Sequence, residues 1–375
     1  MLLVPLGSIF ATLAVLELGV RLLFPQPLHP TESFLADGWQ TAREGAMGHI
    51  PNAVGRVKRS EFDVAVKINS LGLREREIPY QRTDEVYRIL VLGDSQTFGF
   101  GVEAEETYAR LLEQRLSAHA PDGKRLRVQT LNAGVIGTGT AHQLYYLQEQ
   151  GWRFQPDAVV AGFFFNDLIE NTQCRLFGLQ GDQLIQTARA TGGQALIHEA
   201  YHRERSHEDV QSVTAPAPIR PARVSWLVRR FHLARLLRDR LSSLIQSRAG
   251  KSSADPVTRP AMKLTLKLYE ELARQCKEHH AALLVALIPR PEQCADPGLK
   301  SLREDYRAAF AALPEQPTRG VGVVDLLQPL RAGGGNSLFF PIDRHLNARG
   351  HRATAAAIAE ALPAVDPRLT TLERR

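Results

Sequence analysis

The chain has 375 residues, of which 44% are hydrophobic, and this composition is that of a folded protein with a sizeable core. Lys and Arg number 46 against 40 Asp and Glu, so the net charge is +6 and the isoelectric point is about 9.3. Such a small surplus over this length indicates an ordinary solvated surface. With neither zinc-finger spacing nor an aromatic RNA-binding pattern, nucleic acid is not an expected partner.

Residues 1–24 form a long, largely apolar stretch, and the first sixteen carry no charge. Glu17 and Arg21 follow at i,i+4 spacing, which allows them to pair on a helix. A helix of this length is long enough to cross a bilayer, so we predict a transmembrane anchor with the rest of the chain outside the cytoplasm. A cleaved signal peptide and a buried core helix remain as alternatives.

The segment from 25 to 85 is predicted to be a juxtamembrane region. Three prolines (Pro25, Pro27 and Pro30) end the helix, because proline cannot continue it. Alternating apolar and polar residues at 62–68 indicate a short strand. The sequence INSLGLRERE at 68–77 is predicted to form a turn and a loop.

A regular alternation of strands and helices begins near residue 86. Short apolar runs predict buried strands at 87–93, 127–132, 157–165, 281–289 and 320–326. Helices are predicted at 106–118, 140–150, 261–279 and 348–362. Continuous apolar strands that alternate with helices indicate an α/β domain, at 86–365, with a five-stranded parallel sheet covered on both faces. Ligands of such sheets bind beyond the carboxyl ends of the strands.

Residues 171–256 interrupt this alternation and are predicted to be a mostly helical insertion. Within it, residues 224–245 have one apolar stripe and five arginines opposed by a single aspartate. An ordinary amphipathic helix, a membrane-surface contact and a cover of the site remain open for this element.

Metal and cofactor sites are not predicted. The three cysteines, Cys174, Cys276 and Cys294, contain no C-x-x-C pair, so structural zinc is not expected, and any disulfide pairing stays open. Asp343, His345 and His351 are ligand types close in sequence, but no fourth plausible ligand lies near them.

Polar and glycine residues follow the predicted strands where a parallel sheet would place its site. Ser95 follows the first strand in the sequence GDS, at a strand-to-helix turn where a serine can also use its own backbone N–H to hold an oxyanion. Gly137 lies in a glycine-rich turn after the second strand, and Asn166 ends the third. A serine needs a neighbouring base, and His345, two residues after Asp343, can supply it. Helix capping and an Asx turn are the plainer explanations of these segments.

Taken together, the four segments resemble the blocks of the SGNH/GDSL hydrolase superfamily. They are Gly93-Asp94-Ser95, the stretch Asn132 to Gly137, Asn166-Asp167, and Asp343-Arg344-His345, while Phe164 stands where that family usually has glycine. The resemblance covers roughly 86–362, and the sequence at 68–77 with the anchor is similar to the membrane-anchored bacterial branch. It implies a three-layer, flavodoxin-like α/β/α fold.

The resemblance also implies an activity and the residues that carry it. Ser95 is the implied nucleophile, His345 the base and Asp343 the orienting acid, with no cofactor and no metal. The implied oxyanion hole consists of the backbone N–H groups of Ser95 and Gly137 and the side-chain amide of Asn166. We expect an esterase that acts on an acylated carbohydrate or lipid, such as an acetylated cell-surface glycan. An O-acyltransferase, a lysophospholipase-like enzyme and a non-catalytic envelope protein remain alternatives, and the oligomeric state stays open.

Overall fold

A computed structural model of the chain describes residues 3–23, 49, 51–118, 127–174, 176–187, 231–234, 236–237, 258–295, 310 and 320–370. The predicted parallel sheet is confirmed, and its five strands are β3 (Val86–Gly93), β4 (Arg127–Gly134), β5 (Ala158–Phe163), β8 (Ala282–Leu287) and β9 (Val321–Asp325). Their spatial order is β4-β3-β5-β8-β9.

Helices cover both faces of the sheet, which gives the predicted three-layer arrangement. The helices of the domain are α2 (Ser95–Phe98), α3 (Tyr108–Ala118), α4 (Thr140–Glu149), α5 (Asp167–Gln173), α6 (Thr258–Glu278), α7 (Pro291–Ala295), α8 (Leu327–Ala332), α9 (Ala348–Val365) and α10 (Pro367–Thr370). Short 3₁₀ helices lie at Ala104–Glu106, Gly151–Phe154 and Gly335–Leu338.

The central strands are buried along their whole length, which explains why their sequences are continuously apolar. Because side chains alternate along a strand, Leu90 and Leu92 of β3 enter one hydrophobic core together with residues of α4 and α6. Ile89 and Val91 enter the opposite core, with residues of α3 and α9. Each helix layer therefore covers its own side of the sheet.

An antiparallel hairpin lies before the sheet in sequence and packs beside the α2 region. Its strands are β1 (Val54–Lys58) and β2 (Asp63–Lys67), and only β2 is predicted from the sequence. Val57, Val64 and Val66 form a third, smaller core with Phe98 and Phe100, which directly follow the Ser95 turn. The hairpin is thus packed against the segment that carries the predicted nucleophile.

Helix α1 (Leu3–Leu23) forms where the sequence predicts a membrane-spanning segment. Among the residues described, no helix is long and apolar enough to cross a membrane. The prediction of a transmembrane helix is therefore not confirmed. The predicted contact between Arg21 and Glu17 is present at 3.5 Å. Glu17 also accepts the backbone N–H groups of His232 and Leu233, at 3.0 and 2.8 Å, so this charged group interrupts the apolar run and faces another part of the chain.

The insertion differs from its prediction in the part that the structure describes. Residues 171–173 complete α5, and after them an antiparallel hairpin of β6 (Phe177–Gln180) and β7 (Gln183–Gln186) forms in place of a helix. Leu176 and Phe177 are buried in the core under α6, which fixes the hairpin on the domain. Of the predicted helix at 224–245, residues 232–234 and 236–237 are helical, Phe231 is not, and the other positions lie outside the described residues.

Candidate active site

Ser95 lies at the sharp turn between β3 and α2. Asp94 caps the helix, and its Oδ1 accepts the backbone N–H of Gln96 at 2.9 Å. The turn requires glycine before it, because a Cβ on Gly93 would lie 1.8 Å from Oγ1 of Thr97. Ser95 therefore begins a helix directly at the carboxyl end of a central strand, with only 9% of its surface accessible.

Ser95, His345 and Asp343 form one continuous hydrogen-bonded line. The Oγ atom of Ser95 lies 2.7 Å from Nε2 of His345, and Nδ1 of the same ring lies 2.5 Å from Oδ1 of Asp343. With Nδ1 protonated towards the carboxylate, Nε2 is left as the acceptor of the serine proton. The structure thus brings together, from positions 250 residues apart, the three side chains that serine catalysis requires.

The loop that carries Asp343 and His345 is a tight turn between residues 340 and 346. The backbone N–H of Phe340 donates to the carbonyl of His345 at 2.8 Å, and that of Arg344 donates to the carbonyl of Phe340 at 3.0 Å. Arg344 has a φ of +79°, a region that L-residues other than glycine rarely adopt. The side chain of Gln96, next to the predicted nucleophile, accepts the N–H of Leu346 at 3.0 Å and ties this loop to α2.

The predicted oxyanion-hole residues Gly137 and Asn166 follow β4 and β5, the two strands that neighbour β3 in the sheet. Gly137 lies in the loop after β4 with a φ of +69°, a conformation that glycine adopts without strain. Asn166 directly precedes α5, and its Nδ2 donates to Oε1 of Glu170 at 3.0 Å. An amide nitrogen carries two hydrogens, so this bond leaves one of them for another acceptor.

Buried carboxyl groups lie behind Asn166. Burial raises the pKa of Asp94, and it raises the pKa of Glu170 to about 7. Burial, together with the charges of Asp94 and Glu170, raises the pKa of Asp167 well above its ordinary value. Within the described part of the chain, Oδ1 of Asn166, Oδ1 of Asp167 and Oε2 of Glu170 are buried without a hydrogen-bond partner. This cluster therefore holds fewer negative charges at neutral pH than it has carboxyl groups.

His351, the other histidine near the start of the last long helix, contacts α3 and not Ser95 in the hydrogen bonds of the described residues. It is fully buried in α9, where its Nδ1 accepts the backbone N–H of Tyr108 at 3.1 Å. Burial lowers the pKa of His351 to about 3, so the ring is neutral over the physiological range. Over the described ranges, no three His, Cys, Asp or Glu side chains are grouped as metal ligands.

Two acidic residues near the site, Glu61 and Glu170, are not predicted from the sequence. Glu170 stands four residues after Asn166, and this helical spacing is a signal that was available. Glu61 contacts the backbone of the 340–346 loop from a distance of 281 residues in sequence, for which no local pattern exists.

The C-terminal third of the chain matches a known protein family. Residues 248–375 match the family described as SGNH hydrolase-like domain, acetyltransferase AlgX. The predicted resemblance to the SGNH/GDSL superfamily is confirmed. The matched SGNH region contains β8, β9 and the loop of Asp343 and His345, whereas Ser95 and Asn166 lie before it. No curated protein sequence matches the chain.

Solved structures similar to this SGNH-like chain include TesA, at 14% identity and a TM-score of 0.40, over 74% of this chain and 99% of TesA. A GDSL-like lipase from Bacteroides thetaiotaomicron matches at 12% identity and a TM-score of 0.38, over 76% of this chain and 92% of the lipase. A two-domain esterase active on acetylated mannans matches at 14% identity and a TM-score of 0.38, over 75% of this chain and 50% of the esterase. Similarity at this level carries no conclusion about activity.

Proposed function

We propose that this protein is a serine-dependent carboxylic-ester hydrolase that works through an acyl-enzyme. The observation that carries the proposal is the hydrogen-bonded line from Ser95 through His345 to Asp343, at 2.7 and 2.5 Å. A serine hydroxyl is a weak nucleophile by itself, and the neighbouring imidazole with its carboxylate is the arrangement that activates it. The line lies at the carboxyl end of β3, where α/β sheets bind ligands.

In the proposed reaction, Oγ of Ser95 attacks the ester carbonyl carbon while Nε2 of His345 takes the hydroxyl proton. Asp343 accepts Nδ1–H and stabilises the imidazolium that results. The tetrahedral oxyanion is held by the N–H groups of Ser95 and Gly137 and by the second amide hydrogen of Asn166. His345 then returns the proton to the departing alcohol, and it later activates the water that releases the acid and restores Ser95.

Transfer of the acyl group to a sugar hydroxyl is the second candidate. It is favoured by the family description of residues 248–375, which names an acetyltransferase. Hydrolysis and transfer share every step up to the acyl-enzyme and differ only in the acceptor that attacks it. The proposed substrate class for both is an O-acylated, specifically acetylated, glycan of the cell envelope, and an acylated lipid is the substrate alternative.

The product balance distinguishes the two candidates. The full chain is incubated with 4-nitrophenyl acetate, with and without a neutral oligosaccharide acceptor, and released nitrophenol and acetate are both measured. A hydrolase releases the two in equal amounts under both conditions, whereas a transferase releases more nitrophenol than acetate when the acceptor is present. Absence of nitrophenol release above the level of the Ser95→Ala variant contradicts both candidates.

We also propose that the protein is attached to a membrane with its catalytic domain outside the cytoplasm. Support comes from the uncharged sequence before Glu17 and from the exposed apolar side chains of α1, among them Phe10, Val15 and Leu22. Fractionation of cells that express the full chain tests this location. The proposal is supported if the protein stays in the membrane fraction after a high-salt wash and is digested by protease added outside the cytoplasmic membrane. Recovery of the protein in the cytosol contradicts it.

A further inference from the structure

Glu61, in the turn of the β1–β2 hairpin, binds the backbone next to the candidate acid. Its Oε2 accepts the N–H of Asp343 at 2.7 Å, and its two carboxylate oxygens lie 3.0 and 3.1 Å from the N–H of Ile342. Hydrogen bonds to an ionised acceptor are stronger than neutral ones. One carboxylate thus holds two consecutive peptide N–H groups, one of which belongs to the residue that contacts His345.

The loop that Glu61 contacts needs such support. Arg344 has a positive φ, and a conformation of this kind costs about 1–3 kcal/mol unless the surroundings impose it. The side chain of Arg344 forms an ion pair with Glu292 at the start of α7. Glu61 therefore binds backbone N–H groups of the loop, whereas Glu292 binds the side chain of Arg344, the residue before His345.

The hairpin that presents Glu61 is itself fixed to the segment after Ser95. The buried guanidinium of Arg74 donates to the carbonyl groups of Phe98 and Gly99, at 3.1 and 2.7 Å, and to the carbonyl of Ala65 in β2 at 3.2 Å. Phe62, next to Glu61, packs against Phe100 with ring centroids 5.7 Å apart. The same N-terminal segment thus contacts the helix of the candidate nucleophile and the loop of the candidate base.

We propose that the β1–β2 hairpin is a working part of the active site and that Glu61 is a positioning residue for Asp343 and His345. The carboxylate fixes the peptide of Asp343, so that its side chain meets Nδ1 of His345 while Nε2 faces Ser95. This inference rests on the proposed function. It extends the site to residues 54–67, which lie outside both the predicted α/β domain and the family match.

The test compares Glu61→Ala and Glu61→Gln with a matched control, Glu103→Ala, in the full chain. Glu103 also binds this hairpin through one carboxylate, which accepts the N–H of Ala65 at 3.2 Å, but it does not contact the 340–346 loop. Hydrogen exchange of the peptide that covers 340–347 is measured by mass spectrometry, and kcat and KM are measured with 4-nitrophenyl acetate. Thermal unfolding of each variant reports its global stability.

We expect Glu61→Ala to speed exchange in 340–347 and to lower kcat on the order of a hundredfold, as small misplacements of catalytic groups do, with KM little changed. Glu61→Gln should lose less, because its carbonyl oxygen still accepts one N–H. Glu103→Ala should leave both the exchange of 340–347 and kcat unchanged, apart from any change that follows from lower thermal stability.

Several results would overturn the inference. They are unchanged exchange in Glu61→Ala, a kcat loss no larger than in Glu103→Ala, and a rise in KM alone. The last result would make Glu61 a substrate contact, since it also borders a recess of about 320 Å³ together with Phe62 and Phe340. The exchange measurement needs no turnover. Inactive wild-type protein with faster exchange in Glu61→Ala would therefore contradict the proposed function and still support the role of Glu61 in the loop.

Discussion

The two sides of the candidate site differ in how fully their polar atoms are hydrogen-bonded. On one side, both ring nitrogens of His345 are bonded, at 2.7 Å to Ser95 and at 2.5 Å to Asp343. On the other side, the Asn166 amide lies beside buried carboxyl groups, some of whose oxygens have no hydrogen-bond partner. The first side is organised for attack before any substrate arrives. The second side carries charge that depends on pH, because Asp94, Asp167 and Glu170 cannot all ionise cheaply in one buried cluster. In the proposed reaction, the difference implies that pH acts on the activation of Ser95 through His345 and on the oxyanion side through these carboxyl groups.

Removal of the nucleophile is expected to have the largest effect. Ser95→Ala should lower kcat for ester turnover by at least about a thousandfold, because an activated nucleophile contributes more than this. Unfolding temperature should stay close to that of the wild type, since the small side chain is replaced by a smaller one. The measurement is steady-state release of nitrophenol, with circular dichroism as the control for folding. Residual activity above that level would remove Ser95 from the role of nucleophile.

His345→Ala should be as damaging as Ser95→Ala, and His351→Ala supplies its matched control on the same segment. Loss of His351 leaves the N–H of Tyr108 buried without its acceptor, which costs about 1–3 kcal/mol of folding free energy. We therefore expect lower stability for His351→Ala at pH 8 with kcat almost unchanged. Comparable kcat losses in the two variants would mean that the site does not distinguish the two histidines.

Asn166→Ala tests the other side of the site. It should lower kcat about a hundredfold or more with little change in KM, because one oxyanion donor contributes about that much. The measurement is the separate determination of kcat and KM for a short-chain aryl ester. An unchanged kcat would show that Asn166 only closes the turn before α5.

Glu170→Gln sharpens the comparison through pH. In the wild type, ionisation of Glu170 places a negative charge beside the side-chain amide of Asn166, the proposed oxyanion donor, so kcat/KM should fall as the pH rises through about 7. Glutamine still accepts the bond from Nδ2 of Asn166 but carries no charge, so this fall should disappear in the variant. If the fall in kcat/KM persists in Glu170→Gln, the ionisation of another group causes it.

The same residue has a consequence for stability. The pKa of Glu170 is raised from 4.5 to about 7 in the folded protein, so the folded state binds more protons than the unfolded state between these values. Stability therefore falls as the pH rises through this window, by at most about 3 kcal/mol from this group. Glu170→Gln should reduce the fall, as measured by urea unfolding at pH 5 and pH 8. An identical pH dependence in both proteins would contradict the raised pKa.

His351 acts in the opposite sense and has the smallest expected effect on activity. Its folded-state pKa is lowered from 6.5 to about 3, so its stabilising contribution is complete above pH 6.5 and is lost as the pH falls towards 3. His142, with a pKa lowered to about 4 by burial, adds to the same acid sensitivity. His351→Ala should therefore lose less stability than the wild type between pH 7 and pH 4, and an equal loss would contradict the assignment.

The sequence predicts the sheet and the chain order of the site because both depend on local patterns. The strands are buried on both faces and so are apolar throughout; Ser95 and Asn166 each follow such a strand, and His345 precedes the last predicted helix. The strand β1, with only two valines in five residues, lacks such a pattern. Glu61 contacts a loop 281 residues away, and only the folded chain brings the two together.

The most direct test of the central claim is to find where an acyl group becomes attached. The full chain is incubated with 4-nitrophenyl acetate, quenched during turnover, digested and sequenced by tandem mass spectrometry, with Ser95→Ala and His345→Ala treated in parallel. We expect acetyl on Ser95 of the wild type and on neither variant. Turnover by the wild type without acyl-Ser95, together with an acetyl group on another residue that persists in Ser95→Ala, would contradict the account.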